Sequence, residues 1–381
     1  MPKNIIAEAL LEIAEGIESG SFAKKPRIGL TILGSEHGVE NMIQAAKLAK
    51  SPSHEVVLIG PKQEGCDLET HEVSSEEEAH KKMEELLDKK VIDACVTLHY
   101  TFPIGVSTIG RVVAPSTGKE MLIATTTGTS SLNRVEGMVR NTIAGVAVAK
   151  SLGIEKPTVG VLNVDGAKQV ERALQSLIDN GYDLDFAESA RADGGAILRG
   201  NDILQGVPNV CVTDSLTGNI LMKMFAAFST GGSYEAAGFG YGPGVGKDYD
   251  RNICIVSRAS GAPVIANAIK YAAELVRGNF FKVTADEYKA VESAKFDAVL
   301  ETLQPKKEEA AEEEVVEAPP KEIVTDSITG IEILDLEDAV QALWREGIYA
   351  ESGMGCTGPI VMISAANHEK SAEILKDKGF I

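Results

Sequence analysis

Two short, almost wholly apolar runs, residues 210–213 and 253–257, each pass through a polar turn into a helical pattern, and they restrict the fold more than anything else in the chain. Runs of this length, rich in Val, Ile and Cys, read as buried parallel strands. The first leads through Asp214-Ser-Leu-Thr-Gly-Asn219 into a helix over 220–228; the second leads through Arg258-Ala-Ser-Gly261 into a helix over 263–277. Two such turns at the carboxyl ends of neighbouring strands would gather backbone N–H groups and hydroxyls around one anion site. Thr217, Gly218 and Asn219 open the first helix, and Lys223 follows one turn later.

The same alternation fills the chain from 27 to 280. Strands are expected at 27–33, 56–59, 94–98, 121–125 and 158–163, and helices at 39–49, 75–88 and 168–180. This pattern predicts a doubly wound α/β/α sandwich with right-handed crossovers. Residues 100–105 are read as a loop before a helix to Arg111, and 126–131 as a loop of hydroxyl and N–H donors, Thr127 and Ser130 among them. Arg134 and Arg140 follow that loop; each is a phosphate clamp or a surface residue. The glycine-rich stretch 238–246, with Gly242, Gly244 and Lys247, is a phosphate contact or a mobile lid. Thr284-Ala-Asp-Glu287 reads as a capping box opening a helix to 303.

Composition changes at the ends. Residues 5–17 show helical apolar spacing, either packed on the chain's own domain or docking another subunit. Residues 306–321 carry six Glu and Pro319-Pro320, the makeup of a solvated spacer or an acidic binding tail. The chain is therefore divided into a helical arm (1–25), an α/β domain (26–304), an acidic linker (305–322) and a C-terminal αβα module (323–381). Val324-Thr-Asp-Ser-Ile-Thr-Gly330 differs from Val212-Thr-Asp-Ser-Leu-Thr-Gly218 at one position, so the module is either a partial duplication or a reuse of turn chemistry.

Charge and cysteine usage exclude several functions. With 37 Lys+Arg against 56 Asp+Glu and a net charge of −19, the chain is not built for nucleic acid. The five cysteines have no CxxC or paired spacing, and the histidines form no HExxH, so neither metal nor disulfide framework is expected. No GxGxxG follows the first strand, so no dinucleotide cofactor is expected either. The chain has no apolar run of membrane length and no signal-peptide layout, and a cytoplasmic protein is the expectation. Cys95, Cys211 and Cys254 fall in apolar strands, Cys66 in a loop, and Cys356 among the glycines 353–358. An accessible thiolate among glycines can carry a thioester, with N–H groups free to meet its carbonyl; Cys356 is that, or a small turn residue.

Arg199-Gly-Asn-Asp202, Thr213-Asp-Ser-Leu-Thr-Gly-Asn219 with Lys223, Gly242-Pro243 and Ser257-Arg258 occur in the order of the phosphate acyltransferase superfamily, which this chain resembles over most of 27–280. The resemblance implies an α/β sandwich of the isopropylmalate dehydrogenase type whose cleft moves acyl groups between thiol and phosphate. By position Arg258 would steady phosphate and Ser257 the leaving thiolate. The superfamily's catalytic Asp falls on Val264, so free coenzyme A should not be activated here. The acidic linker and Gly353-Met-Gly-Cys-Thr-Gly-Pro359 extend the likeness to the alpha subunits of component C of the glycine, sarcosine and betaine reductase complexes. That likeness implies acetyl transfer from Cys356 to inorganic phosphate. It implies as partners a thiolase-like beta subunit and selenoprotein A of the complex, in an oligomer. An acyl-carrier-protein:phosphate acyltransferase, a dehydrogenase on the same fold and a non-catalytic scaffold are the rivals.

Overall fold

The computed structural model describes residues 10–11, 13–14, 25–190, 194–304, 316–332, 335–355 and 358–381. It divides into two compact units, Met1–Asn163 with Val170–Glu301, and Val164–Gln169 with Thr302–Ile381. The N-terminal arm and the linker core lie mostly outside the described residues.

The first unit is a mixed α/β fold around one large, mostly parallel sheet. Its strands are β1 (Arg27–Thr31), β2 (Glu55–Ile59), β3 (Thr70–His71), β4 (Ala94–Thr97), β5 (Val106–Val113), β6 (Glu120–Thr129), β7 (Thr158–Leu162), β8 (Asp185–Phe186), β9 (Ile197–Leu198), β10 (Val210–Val212), β11 (Gly242–Val245) and β12 (Ile253–Ile255). They run in the order β3-β2-β1-β4-β12-β11-β5-β6-β10-β7-β8, with β9 also on β7. The pairs β12–β11, β11–β5 and β5–β6 are antiparallel; the rest are parallel. Strands β4, β10 and β12 are buried along their whole length, which is why they carry Val, Ile and Cys without alternation. The helices are α1 (Gly38–Leu48), α2 (Glu76–Asp88), α3 (Arg134–Ser151), α4 (Ala167–Asp179), α5 (Gly200–Gln205), α6 (Ser215–Ala227), α7 (Ala262–Arg277), α8 (Phe280–Ser293) and α9 (Phe296–Glu301). Among the described residues no helix is long and apolar enough to cross a membrane.

Several expectations are corrected here. Residues 106–113 form β5, not a helix: Val106, Ile109 and Val112 face the core between two antiparallel neighbours. Most of the expected hydroxyl loop at 126–131 is the end of β6. The expected lid at 238–246 contains β11, whose residues are all buried, so Gly242 and Gly244 are sheet positions. A Cβ on Gly242 would overlap the Ile109 carbonyl oxygen, and one on Gly244 the Phe102 ring. Glycine is there because neighbouring atoms approach its backbone closely. Thr284 lies inside α8, which begins at Phe280, so it is not a cap. Helix α3, to which the periodicity of the chain assigned nothing, is buried on nearly every face; its Gly, Ala and Val residues show no amphipathic stripe.

The second unit has its own core. Strands β13 (Asp326–Thr329), β14 (Ala350–Gly355) and β15 (Gly358–Ile363) form an antiparallel sheet in the order β13-β15-β14. Helices α10 (Leu336–Arg345) and α11 (His368–Asp377) join it around Ile328, Leu343, Val361, Ile363 and Leu375. The order is β-α-β-β-α, which corrects the αβα expectation. It also removes the duplication: Asp214 caps a helix formed by Ser215-Leu-Thr-Gly218, whereas Asp326-Ser-Ile-Thr329 is a strand. Both copies have weak local preference, and pairing with β15 decides the second.

Candidate functional site

Strand β12 ends at Ile255, and the chain turns through Val256-Ser-Arg-Ala-Ser-Gly261 into α7, whose second residue is Pro263. Pro at a first turn lacks only an amide that would be unpaired anyway. Ser260 Oγ accepts the Ser257 N–H at 3.1 Å, and Ser257 Oγ accepts the Ala259 N–H at 3.2 Å. The Ser257 oxygen thus accepts one hydrogen bond and the hydroxyl keeps its own hydrogen to donate. Arg258 is about half exposed and pairs with Glu76 of α2 at 2.8 Å. Its carbonyl accepts the Glu36 N–H at 2.9 Å, so the turn after β1 braces this one. Val264, where the resemblance has Asp, is fully buried in the first turn of α7.

Beside this turn lies a cleft of about 500 Å³, lined by Lys223, Met224, Ala227, Phe228, Gly231, Gly232, Tyr234, Glu235 and Ala259. Its walls are largely apolar, with one cation and one carboxylate. Glu235 is buried; its oxygens accept Tyr241 O–H at 2.8 Å and Ser260 O–H at 2.6 Å, and Lys223 Nζ stands 4.0 Å away. Burial, then the Glu235 charge, pushes the Tyr241 hydroxyl far above its ordinary pKa, so it stays a donor. Glu235 and Tyr234 are the residues that sequence reasoning missed. No motif marks them, and a carboxylate inside a glycine-rich stretch has no helical or strand period to betray it.

The other expected anion site is arranged differently. Strands β10 and β12 are not neighbours: β11, β5 and β6 lie between them. The antiparallel strands β5 and β11 separate what the linear pattern suggested was one parallel run. At the start of α6 the donors are already engaged. Asp214 accepts the N–H groups of Leu216 and Thr217 at 3.1 and 3.0 Å, and the Thr217 hydroxyl at 2.7 Å. Burial pushes the Asp214 pKa up, but the Thr217 amide and hydroxyl and the Arg134 guanidinium outweigh it, and the net shift is downward. A carboxylate thus sits where a free anion was expected. Gly218 lets α6 lie on β6, since a Cβ would overlap the Thr125 carbonyl oxygen, and Asn219 ties the helix to Thr126 O at 3.2 Å.

Thr127 gives its carbonyl to the hydroxyl of Thr125 at 2.8 Å, and Ser130 donates to Asn141 Oδ1. Ser130, with Arg134, Asp214 and Ser215, lines a second, more polar cleft of about 240 Å³. Arg140 pairs with Glu136 at 2.7 Å. Lys247, half exposed, pairs with Glu292, which raises its pKa. Neither Gly242, Gly244 nor Lys247 lines the larger cleft. Cys95, Cys211 and Cys254 are fully buried; burial pushes the Cys211 thiol up to about 12 and the other two further, so none is a nucleophile. Cys356 lies outside the described residues. Among the described residues no cluster of His, Cys, Asp and Glu has the makeup of a metal site.

Comparison with known proteins adds the family. The model of the family described as "Fatty acid synthesis protein" matches residues 26–362. The glycine/sarcosine/betaine reductase complex component C subunit alpha of Peptoclostridium acidaminophilum is 59% identical over 381 residues, 100% of this chain and 99% of its own length. A phosphate acyltransferase of Thermotoga neapolitana is 26% identical over 231 residues, 52% of this chain and 68% of its own. The crystal structure of a branched-chain phosphotransacylase from Enterococcus faecalis V583 aligns at a TM-score of 0.48 and 14% identity, over 65% of this chain and 99% of that one. The chain belongs to the fatty acid synthesis protein family and, within it, to the alpha subunits of component C of the glycine/sarcosine/betaine reductase complexes.

Proposed function

We propose that this chain is an acyltransferase subunit that converts an enzyme-bound acetyl thioester and inorganic phosphate to acetyl phosphate. The full-length identity of 59% to a component C alpha subunit carries this reading. The Ser257-Arg258 turn beside a cleft that holds Lys223 supports it. Cys356 carries the acetyl group as a thioester. A phosphate oxygen attacks the carbonyl carbon, the C–S bond breaks, and the thiolate leaves and takes up the proton that phosphate gives up. Arg258 and Lys223 hold the phosphate, and the Ser257 hydroxyl donates to the departing thiolate. Thr217, Gly218, Asn219, Thr127 and Ser130 shape the adjoining strand ends rather than meet phosphate. The chain works in a multisubunit complex, with a thiolase-like beta subunit and selenoprotein A as its partners.

The test is labelling. Purified protein is incubated with radiolabelled acetyl phosphate and digested, and the label is located by mass beside Cys356→Ala. Label on the Cys356 peptide, discharged by phosphate or arsenate, is expected; label on no cysteine would sink the thioester route. The cleft's size and apolar walls favour a second reading, a longer acyl group. Faster turnover of butyryl phosphate than of acetyl phosphate would select it.

A further inference from the structure

The two walls of the larger cleft are joined by one buried carboxylate. The segment at Tyr234-Glu235 pairs with the Ser257–Gly261 turn through its backbone: Glu235 N–H donates to Ala259 O at 3.0 Å and Gly261 N–H to Glu235 O at 2.8 Å. The side chain continues the same stitch. Glu235 accepts the Ser260 hydroxyl at 2.6 Å, and the Ser260 oxygen accepts the Ser257 N–H at 3.1 Å. Both oxygens of Glu235 are engaged, the second by the hydroxyl of Tyr241 at 2.8 Å, the residue just before β11. Tyr241 N–H in turn donates to Ile255 O at 2.9 Å, at the end of β12. A carboxylate is costly to bury, and one bound by two hydroxyls and faced by an ammonium keeps its place only in a single arrangement.

We propose that Glu235 is the positioning residue of this site: acting through Ser260, it fixes the peptide of Ser257 and hence the direction of the Ser257 hydroxyl. It holds the turn through Ser260, as the Glu36 amide holds it through the Arg258 carbonyl. A hydroxyl so fixed meets the leaving sulfur without first being ordered, so the contribution falls on the chemical step and not on phosphate binding. The proposal rests on the phosphorolysis reading above.

Two measurements on the full chain test it. The first is exchange of radiolabelled phosphate into acetyl phosphate, which needs only an acetyl-enzyme and phosphate. Glu235→Gln, close to isosteric, is expected to lower the exchange kcat about tenfold or more while the KM for phosphate stays within about twofold. Ser260→Ala is expected to do the same. In a Ser257→Ala background Glu235→Gln should add less than about a twofold loss, because both act on one hydroxyl. The second measurement is amide hydrogen exchange. Residues 257–261 should lose protection in Glu235→Gln while β6 and α3 keep theirs. Unchanged kcat in Glu235→Gln overturns the proposal. So does a loss that multiplies with that of Ser257→Ala, or a loss of protection across the whole sheet, which marks a merely structural carboxylate. If the unmodified chain exchanges no phosphate, the phosphorolysis reading fails, and protection at 257–261 alone decides whether Glu235 fixes the turn.

Discussion

At the scale of single residues, the proposed phosphate contact falls on Arg258. It is about half exposed and paired with Glu76, and an ion pair so open to water contributes little to stability. In the proposed reaction phosphate therefore takes the guanidinium from Glu76 at small cost. Arg258→Gln should lower exchange of labelled phosphate about a hundredfold with an unchanged melting temperature. Glu76→Gln should leave Arg258 free and lower the KM for phosphate two- to fivefold or so, as expected for loss of a weak competing partner. A higher KM in Glu76→Gln would mean that Glu76 aims the guanidinium instead. Gly218 is a residue of a different kind, a packing requirement. Gly218→Ala places a methyl group on the Thr125 carbonyl, and α6 must lift from β6. A loss of about 1–3 kcal/mol, read by denaturant unfolding, is expected.

Helix α6 shows how one element balances its own end. Asp214 caps it, and the net depression of its pKa turns that cap into a pH dependence. A carboxylate whose folded pKa lies below the unfolded value of about 3.9 stabilises the fold above that value and loses the contribution as pH falls through the folded one. Asp214→Asn keeps an acceptor but loses the attraction of Arg134. The stability gap between it and the unmodified chain should be widest at neutral pH and close below about pH 4. A gap constant from pH 7 to pH 3 would show that the charge contributes nothing. Along the same helix the sequence from Ser215 to Tyr234 has no acidic residue, although the chain carries 56. That leaves Lys223 as the one formal charge of this stretch on the way into the cleft.

For the whole molecule, two units with separate cores share one chain. In the second, Leu343 is fully buried in one cluster with Ile328, Val361 and Leu375. Leu343→Ala should cost that unit about 2–5 kcal/mol, read as faster hydrogen exchange at Ala350 and Val361. If those amides keep their protection, the cluster is not the core of a cooperative unit.

The elements read from the chain are those whose period is their own. Buried strands such as β4, β10 and β12, and the amphipathic helices α1, α2 and α7, announce themselves through residues a few positions apart. The Ser257-Arg258 pair and the family were legible in the same way, as motifs in order. Strands β5 and β11 and the uniformly buried α3 were not, because what makes them is the company on both sides. The near-identical segments at 212–218 and 324–330 put the same point within seven residues, one capping a helix and the other pairing with β15. Local sequence therefore determined the strand-turn-helix units and the residues at their ends. Tertiary structure alone decided that β11, β5 and β6 stand between the two turns, that Asp214 fills the anion position at α6, and that Glu235 reaches Ser260. Each of those outcomes is a contact between residues distant in the chain or a capping choice that competes with a ligand, and neither leaves a period in the sequence.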